Sequence, residues 1–335
     1  MNIELWVQHG DKMFAPVVGD SITWTTERKG CPGQLQFDVL KDDVLDITEG
    51  DTVSLKVDGN GIFYGYIFKK KRGKDKKISI TAYDQLRYFK NKDTYVYEFK
   101  TASEFIKELI DDHFKIKNKG EVGYETDEAI LNVGTIEDTG YVIPTRTESN
   151  MSLFDMVQNA LDLTLQNKNE MYVLYDDFGK ITLKNIANMQ VNVLIDEETG
   201  ELFDYSSSID ENTYNRIKLT YDNEKTGMRD VYIAKDSSNM DRWGILQYHD
   251  TLKEGENGQA KADALLELYN KKKRHLSVNN AFGNINVRAG SLLPVILSLG
   301  DIEIRNPMLV EKCKHEFKNG QHFMSLTLRG GEFVA

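Results

Sequence analysis

Cysteine and long apolar runs are scarce in this sequence. Only two cysteines, Cys31 and Cys313, occur in 335 residues, which excludes a disulfide-rich scaffold, leaves a single bridge as the one alternative, and fits a reducing cytosol. No apolar run approaches the roughly 18 residues of a membrane span, and Met1–Leu5 has no basic segment leading into an apolar stretch. We therefore expect a protein with no membrane contact and no signal peptide.

Positive charge is also in deficit. Lys and Arg number 42 against 53 Asp and Glu, for a net charge of -11, which disfavours nonspecific binding of duplex DNA because such binding needs clustered cations to displace counterions from phosphates. Hydrophobic residues make up 40% of the chain, as expected of a folded protein. At 335 residues the chain is too long for one core of usual size, so two or three domains are expected.

The first 82 residues alternate apolar and polar side chains in short runs, which predicts antiparallel strands. The clearest pair is Thr52–Val57 and Ile62–Phe68, joined by Asp58-Gly59-Asn60-Gly61. Asp-Gly and Asn-Gly provide the positive φ angles that tight hairpins require. A further strand, Lys77–Ala82, follows a basic loop, and the all-β character ends at Tyr83.

Two helices and a small sheet are predicted in the middle of the chain. Thr101 and Glu104 form the pattern of a capping box, and Ser152 with Asp155 repeats it. Each start precedes a helical stripe of apolar residues. The second helix leads into two strands, Met171–Tyr175 and Ile181–Leu183, and the irregular stretch from 120 to 150 is interpreted as loop.

The β pattern returns from about residue 206, with one inserted helix. This helix is predicted from Gln259 to about Arg274, and Lys271–Arg274 would lie at its C-terminus, where cations suit the helix dipole. The strands are predicted at Tyr214–Tyr221, Val231–Ala234 and Gly244–His249.

Two stretches of the chain resemble each other. One runs from Ile47 through Gly50 to Tyr83, and the other from Val287 through Gly290 to Arg329. Both read as a glycine turn, a strand, a long strand, a polar turn and a closing strand. The two interpretations are a general likeness among antiparallel barrels and a duplicated barrel within one chain. A trimer of a duplicated chain would present six similar barrels.

The fold predicted from these patterns is mainly β, with two similar antiparallel β-barrels flanking a helix-containing α+β domain. The first barrel is expected at 1–92, the middle domain at 93–205, and the second barrel, with one inserted helix, at 206–335.

One dense basic cluster stands out in this acidic chain. It is a candidate loop for an interface or for the lining of a channel, although a solvated hairpin loop explains it as well, because Gly73 and Asp75 sit where a turn is needed and lysines often guard strand ends. The cluster comprises Lys69, Lys70, Lys71, Arg72, Lys74, Lys76 and Lys77.

No catalytic, cofactor or metal site is predicted. Cys313, His315 and His322 come close together in sequence, but no fourth ligand is apparent, and histidines on strands are usually packed or hydrogen-bonded. Cys31 precedes a proline in a turn rather than starting the helix that lowers a thiol pKa. Gly59-Asn-Gly61 lacks the third glycine of a dinucleotide loop. Paired carboxylates for glycoside hydrolysis stay open, because 53 acidic residues offer many pairs.

Three segments of the sequence carry a resemblance to a known family: Ile62–Phe68, Ile78–Phe89 and His315–Leu328. The run Ala-Tyr-Asp-Gln-Leu-Arg-Tyr within the second segment is the most specific part. The chain resembles the XkdQ/YqbQ-like proteins of prophages and phage-tail-like bacteriocins, which are related to contractile-tail baseplate hubs and to the hub part of type VI secretion spike proteins. The resemblance covers the whole chain as barrel, helical insert and barrel.

The resemblance implies a non-enzymatic structural subunit of a baseplate in a virion or tail-like particle, made in the bacterial cytoplasm. Such a subunit forms a homotrimer whose paired barrels make a pseudo-hexameric ring between the hexameric tail tube and the trimeric spike. Its implied partners are itself, the tube protein, the spike protein and other baseplate proteins, with DNA only in transit. A tail-associated cell-wall hydrolase and a glycan-binding module remain as alternatives.

Overall fold

The computed structural model describes residues 1–41, 44–73, 77–119, 125–129, 131–210, 212–223, 226–252, 256–300 and 303–330. The first seven strands follow the predicted alternation, with Val53, Leu55 and Val57 turned into the core. They are β1 (Ile3–His9), β2 (Lys12–Phe14), β3 (Val18–Glu27), β4 (Gln34–Leu40), β5 (Thr52–Val57), β6 (Asn60–Arg72) and β7 (Lys77–Tyr83).

The middle of the chain combines helices with short strands around its own apolar core. A 3-10 helix, Gln85–Lys90, leads into it. Its elements are β8 (Lys92–Tyr97), β9 (Lys100–Thr101), α1 (Ala102–His113), β10 (Lys115–Lys119), β11 (Glu125–Ala129), β12 (Val133–Ile136), β13 (Val142–Ile143), β14 (Arg146–Ser152), α2 (Leu153–Lys168), β15 (Tyr172–Asp176) and β16 (Ile181–Asn185).

Both predicted helix starts are confirmed. The Thr101 hydroxyl accepts a hydrogen bond from the backbone N–H of Glu104, whose carboxylate in turn accepts one from the N–H of Thr101, so the capping box is complete. The Ser152 hydroxyl accepts from the N–H of Asp155 in the same way. These bonds satisfy N–H groups that the first turn of a helix leaves without partners.

The interpretation of residues 120–150 as loop is wrong for much of that stretch. β12 pairs parallel to β16, β13 pairs with β9, and β14 pairs with β8. These strands are short and their partners are distant in sequence, so local alternation does not reveal them. Residues 120–124 and 130 lie outside the described residues.

The C-terminal part interleaves large-sheet strands with a smaller α+β unit, after a 3-10 helix at Ile186–Asn188. The elements are β17 (Leu202–Ser208), β18 (Arg216–Asn223), β19 (Met228–Lys235), α3 (Ser237–Trp243), β20 (Gln247–Thr251), α4 (Gly258–Tyr269), β21 (Lys273–Phe282), β22 (Leu292–Ser298), β23 (Glu303–Lys318) and β24 (Gln321–Gly330). The smaller unit is formed by β18–β20, α3 and α4, and its core lies between β18, β19 and α4.

The inserted helix differs from its prediction. α4 ends at Tyr269, and Lys273 and Arg274 begin β21. The basic run therefore belongs to the start of a strand rather than to the last turn of a helix. The short helix α3 has no buried residue, so no apolar stripe marked it in the sequence.

One sheet of 12 strands runs through the molecule, in the order β17-β21-β24-β23-β3-β4-β7-β6-β5-β1-β2, with β22 added beside β23. The mainly β, α+β class is thereby confirmed. Within the described residues, the pairings leave this sheet open at both ends. Over the same residues, no helix is long and apolar enough to span a bilayer.

Candidate assembly interface

The basic cluster forms part of a strand edge rather than a loop alone. β6 stays paired with β7 as far as Arg72 opposite Ile78, so four of the seven basic residues lie within β6. A fifth begins β7, and two lie outside the described residues. The four residues within β6 are Lys69, Lys70, Lys71 and Arg72, and the residue that begins β7 is Lys77. Lys74 and Lys76 are the two outside the described residues.

One edge of the late part of β6 is open. β5 pairs with β6 only as far as Tyr66, and in the described part of the chain no strand pairs with Lys69–Arg72 on that side. Lys69, Lys71 and Arg72 are exposed, whereas Lys70 is half-buried and its ammonium donates a hydrogen bond to the carbonyl of Ile47. The result is an unpaired, strongly basic strand edge.

A second open edge lies at the far end of the large sheet. Among the described residues β17 pairs with β21 alone. Its exposed positions carry Leu202, Asp204 and three serines, Ser206, Ser207 and Ser208. Five of the nine residues from 196 to 204 are acidic and none is basic. This edge therefore has the opposite charge from the edge of β6.

The predicted repeat is present as two sets of five strands with the same order. Repeat 1 has the order β3-β4-β7-β6-β5, and repeat 2 has the order β17-β21-β24-β23-β22. The register of the strand pairs agrees as well. In repeat 1, Trp24, Leu35 and Ala82 lie side by side on β3, β4 and β7. In repeat 2, Tyr205, Leu276 and Leu328 lie side by side on the equivalent strands β17, β21 and β24. A general likeness of β patterns would not preserve both order and register.

The glycine turn of the repeat is the same in both copies. Gly50 and Gly290 have φ of +97° and +95°, which L side chains rarely adopt. The N–H of Gly50 donates to the carbonyl of Ile67 at 2.8 Å, and the N–H of Gly290 donates to the carbonyl of Val310 at 2.8 Å. A bulge follows at once in each long strand, between residues 67 and 69 and between 310 and 312. The shared bulge sets the equivalence of β6 and β23 residue by residue.

The two repeats are joined by pairing between β3 and β23, which we call the internal seam. Its register runs from Ser21 opposite Lys318 to Glu27 opposite Lys312. The outward face carries a Lys312–Glu27 ion pair at 2.5 Å. Further along the seam, Lys314 lies opposite Thr25 and His315 lies opposite Trp24.

A chain of neutral polar groups is buried on the inner face of the seam. His315 stacks on Trp24 with ring centroids 4.8 Å apart. Its Nε2 lies 2.8 Å from the Val287 carbonyl and its Nδ1 lies 2.9 Å from Nε2 of His322. Burial, and then the neighbouring His322, lowers the pKa of His315 to about 3, and burial lowers that of His322 to about 4.

Of the three potential metal ligands, Cys313 and His315 are packed in the core, and His322 is half-buried beside His315. Both ring nitrogens of His315 have protein partners, and burial raises the pKa of the Cys313 thiol well above its usual range, which disfavours the thiolate that a metal needs. Across the described residues, no group of three or more His, Cys, Asp or Glu side chains is placed to hold a metal ion. These contacts favour a packing role.

An ion-pair network lies at the bulge of β23. Nε of Arg28 donates to Glu311 at 2.8 Å and Nη2 of Arg28 donates at 3.1 Å. Nε of Arg329 forms an ion pair with Glu311 at 2.7 Å. The side chain of Arg28 is 5% exposed. Burial raises the pKa of Glu311, but Arg28 and Arg329 outweigh it and hold that pKa below its usual value. No sequence pattern indicated this network, because its members are far apart along the chain.

A second buried charge cluster joins the large sheet to the middle of the chain. Arg288 is partly buried, packs on the Tyr175 ring 4.0 Å from its centroid, and donates to the carbonyl of Asp176. Asp84 accepts hydrogen bonds from the N–H groups of Gly33 and Leu86. Burial raises the pKa of both Asp84 and Asp176, and Asp176 raises that of Asp84 further. The cluster is a structural joint enclosed in the protein.

Strand order and the duplicated repeat define a β-rich fold built from two like units, with an open sheet edge at β17 and another at the late part of β6 among the described residues. Sequence comparison gives the family. The YQBQ-like family model matches residues 22–329, so the chain belongs to that family. It is 32% identical to the protein YqbQ of Bacillus subtilis over 84% of this chain and 81% of that protein. It is 29% identical to XkdQ of the phage-like element PBSX of the same bacterium, over 97% of this chain and 96% of that protein.

Solved structures share the fold. A tail protein from Neisseria meningitidis matches with a TM-score of 0.67 at 11% identity, covering 99% of this chain and 98% of that one. A component of the Escherichia coli type VI secretion system, itself described as similar to bacteriophage T4 tail proteins, matches with a TM-score of 0.55 at 9% identity, covering 99% of this chain and 78% of that one. At such identities the likeness establishes the fold alone.

Proposed function

We propose that this chain is a non-enzymatic baseplate hub subunit of a contractile phage tail or tail-like particle. Three copies form a pseudo-hexameric ring that adapts the hexameric tail tube to the trimeric spike. The observation that carries the proposal is the duplicated set of five strands, with the same order, glycine turn and bulge in both repeats. The proposed domains are 1–92, 93–205 and 206–335, and the first strand of repeat 2, β17 (Leu202–Ser208), crosses the last boundary. Each repeat becomes part of a tube-like barrel when its open edge meets a neighbouring copy.

The physical basis is symmetry. A threefold assembly whose subunit contains two equivalent units presents six such units around its axis, so one surface meets a sixfold partner while another meets a threefold one. A single-repeat chain would have to form a hexamer to do the same. Duplication within the chain thus supplies both symmetries.

Family and fold support the proposed setting. XkdQ belongs to a phage-like element, the Neisseria protein is a tail protein, and the Escherichia protein is part of a type VI secretion system. Tail tube, spike and other baseplate proteins are the proposed partners, and DNA passes only in transit. The basic cluster of the sequence is the proposed contact or channel surface. It comprises Lys69, Lys70, Lys71, Arg72 and Lys77, together with Lys74 and Lys76, which lie outside the described residues.

Light scattering of the purified chain, alone and mixed with the tube and spike proteins encoded beside it, tests the proposal. We expect three copies of the 38.3 kDa chain per particle, either alone or within the heavier complex with a partner, because closing the ring pairs the open edges. A chain that stays monomeric and binds neither partner would overturn the hub. Cell-wall hydrolysis and glycan binding would then be the activities to assay.

A further inference from the structure

The internal seam is a template for contact between copies. β3, the first strand of repeat 1, pairs with the late part of β23 in repeat 2. β17 holds the position of β3 in repeat 2, and Lys69–Arg72 of β6 hold the position of the late part of β23 in repeat 1. We infer that β17 of one copy pairs antiparallel with the open edge of β6 in the next copy, so that the sheet continues around the ring. This inference rests on the proposed trimer.

The repeat fixes the register of this pairing. The bulge aligns β6 with β23, and the shared cross-strand pairs align β17 with β3. Transferring the pairs of the internal seam to the equivalent positions gives the contacts between copies. They are Lys69 opposite Ser208, Lys71 opposite Ser206, and Arg72 opposite Tyr205.

The exposure of Trp24 on β3 and of its equivalent Tyr205 on β17 agrees with a strand that is missing beside β17. Trp24 is only 4% exposed, and the ring of His315 on the paired strand stacks on it. Its equivalent Tyr205 is only half-buried on the open edge, and Arg72, the equivalent of His315, is exposed. A guanidinium stacked on a tyrosine ring is a favourable pair. The N–H of Ala289 donates to the Thr26 hydroxyl at 2.9 Å, and the equivalent of Thr26 is Ser207, which keeps the hydroxyl.

Charge distinguishes the contact between copies from the internal seam. The inner face of the internal seam is buried and neutral, whereas the two open edges are basic on β6 and acidic around β17. Opposite charges steer these edges together and are screened by salt. Lysines on an edge strand can also serve only to prevent pairing with another chain. In that case β17 and β6 of neighbouring copies would not pair, and the experiment below distinguishes the two roles.

Disulfide trapping in the full chain tests the register. Cys31 is first replaced by serine, and Lys71→Cys is combined with Ser206→Cys. The pair Lys71→Cys with Ser208→Cys, displaced by two residues on the same face, is the matched control. Thr25→Cys with Lys314→Cys, the equivalent pair of the internal seam, is the positive control. Each variant is oxidised with copper phenanthroline and resolved on a non-reducing gel, and its mass is measured by light scattering in parallel.

We expect Lys71→Cys/Ser206→Cys to form covalent dimers and trimers at least about tenfold faster than the displaced pair, since a disulfide tolerates Cα separations of only about 4.4–6.8 Å. A trimer that cross-links no faster through this pair than through the displaced pair would overturn the strand pairing and leave the hub standing. A chain that never trimerises would overturn both.

Discussion

Replacing Glu311 with glutamine is expected to lower the free energy of unfolding by about 3 kcal/mol, because removing one partner of a buried ion pair leaves the other charge uncompensated. Arg28, which is 5% exposed, would lose its bidentate partner, and Arg329 would lose its counter-charge. The measurement is urea denaturation of the purified chain at pH 7, followed by tryptophan fluorescence.

A matched control lies on the same strand. Glu303 pairs with Arg305 at 3.5 Å, but both side chains are about two-thirds exposed or more. Glu303→Gln is therefore expected to change stability by less than about 1 kcal/mol, as exposed ion pairs usually do. Equal effects of Glu303→Gln and Glu311→Gln would contradict a stabilising network at the bulge.

Acidification is expected to destabilise the chain through His315, by about 3 kcal/mol between pH 7 and pH 4. The unfolded chain binds a proton at this histidine with a pKa of 6.5, whereas burial lowers the folded value to about 3. Between these values the unfolded state holds more protons, so stability falls as the pH falls below 6.5. The buried Asp84 and Asp176 have raised pKa values and act in the opposite direction.

A variant isolates the histidine from these opposing groups. His315→Gln keeps a donor for the Val287 carbonyl and an acceptor for His322 but does not titrate. The original chain is expected to lose about 3 kcal/mol more than His315→Gln over this pH range, measured by urea denaturation at each pH. His249→Gln, at an exposed histidine, should keep the original pH dependence. Identical slopes for all three proteins would show that His315 titrates as in water.

The sequence predicted those turns and helix starts whose conformation is set by residues close together in the chain. The Asp58-Gly59 turn has the expected positive φ values, and the capping box at Thr101 forms as the spacing indicated. The repeat was visible because glycine at 50 and 290 is a conformational requirement that sequence records directly. These features need no knowledge of distant partners.

Features made by distant partners were not predicted. β12 and β13 are strands because β16 and β9 pair with them. That β17 has an open edge could not be predicted, because this depends on its position at the end of the large sheet. The end of α4 at Tyr269 depends on β21, which begins at Lys273 and pairs with β17 and β24. Local propensity points the other way, because lysine and arginine are good helix formers.

Electron microscopy of the hub bound to its tube and spike partners, viewed along the assembly axis, is the decisive test of the proposed ring. The hub proposal predicts a ring of six similar lobes around a channel with threefold symmetry, in which each chain contributes two neighbouring lobes. A ring with three lobes, or six lobes from six separate chains, would contradict it.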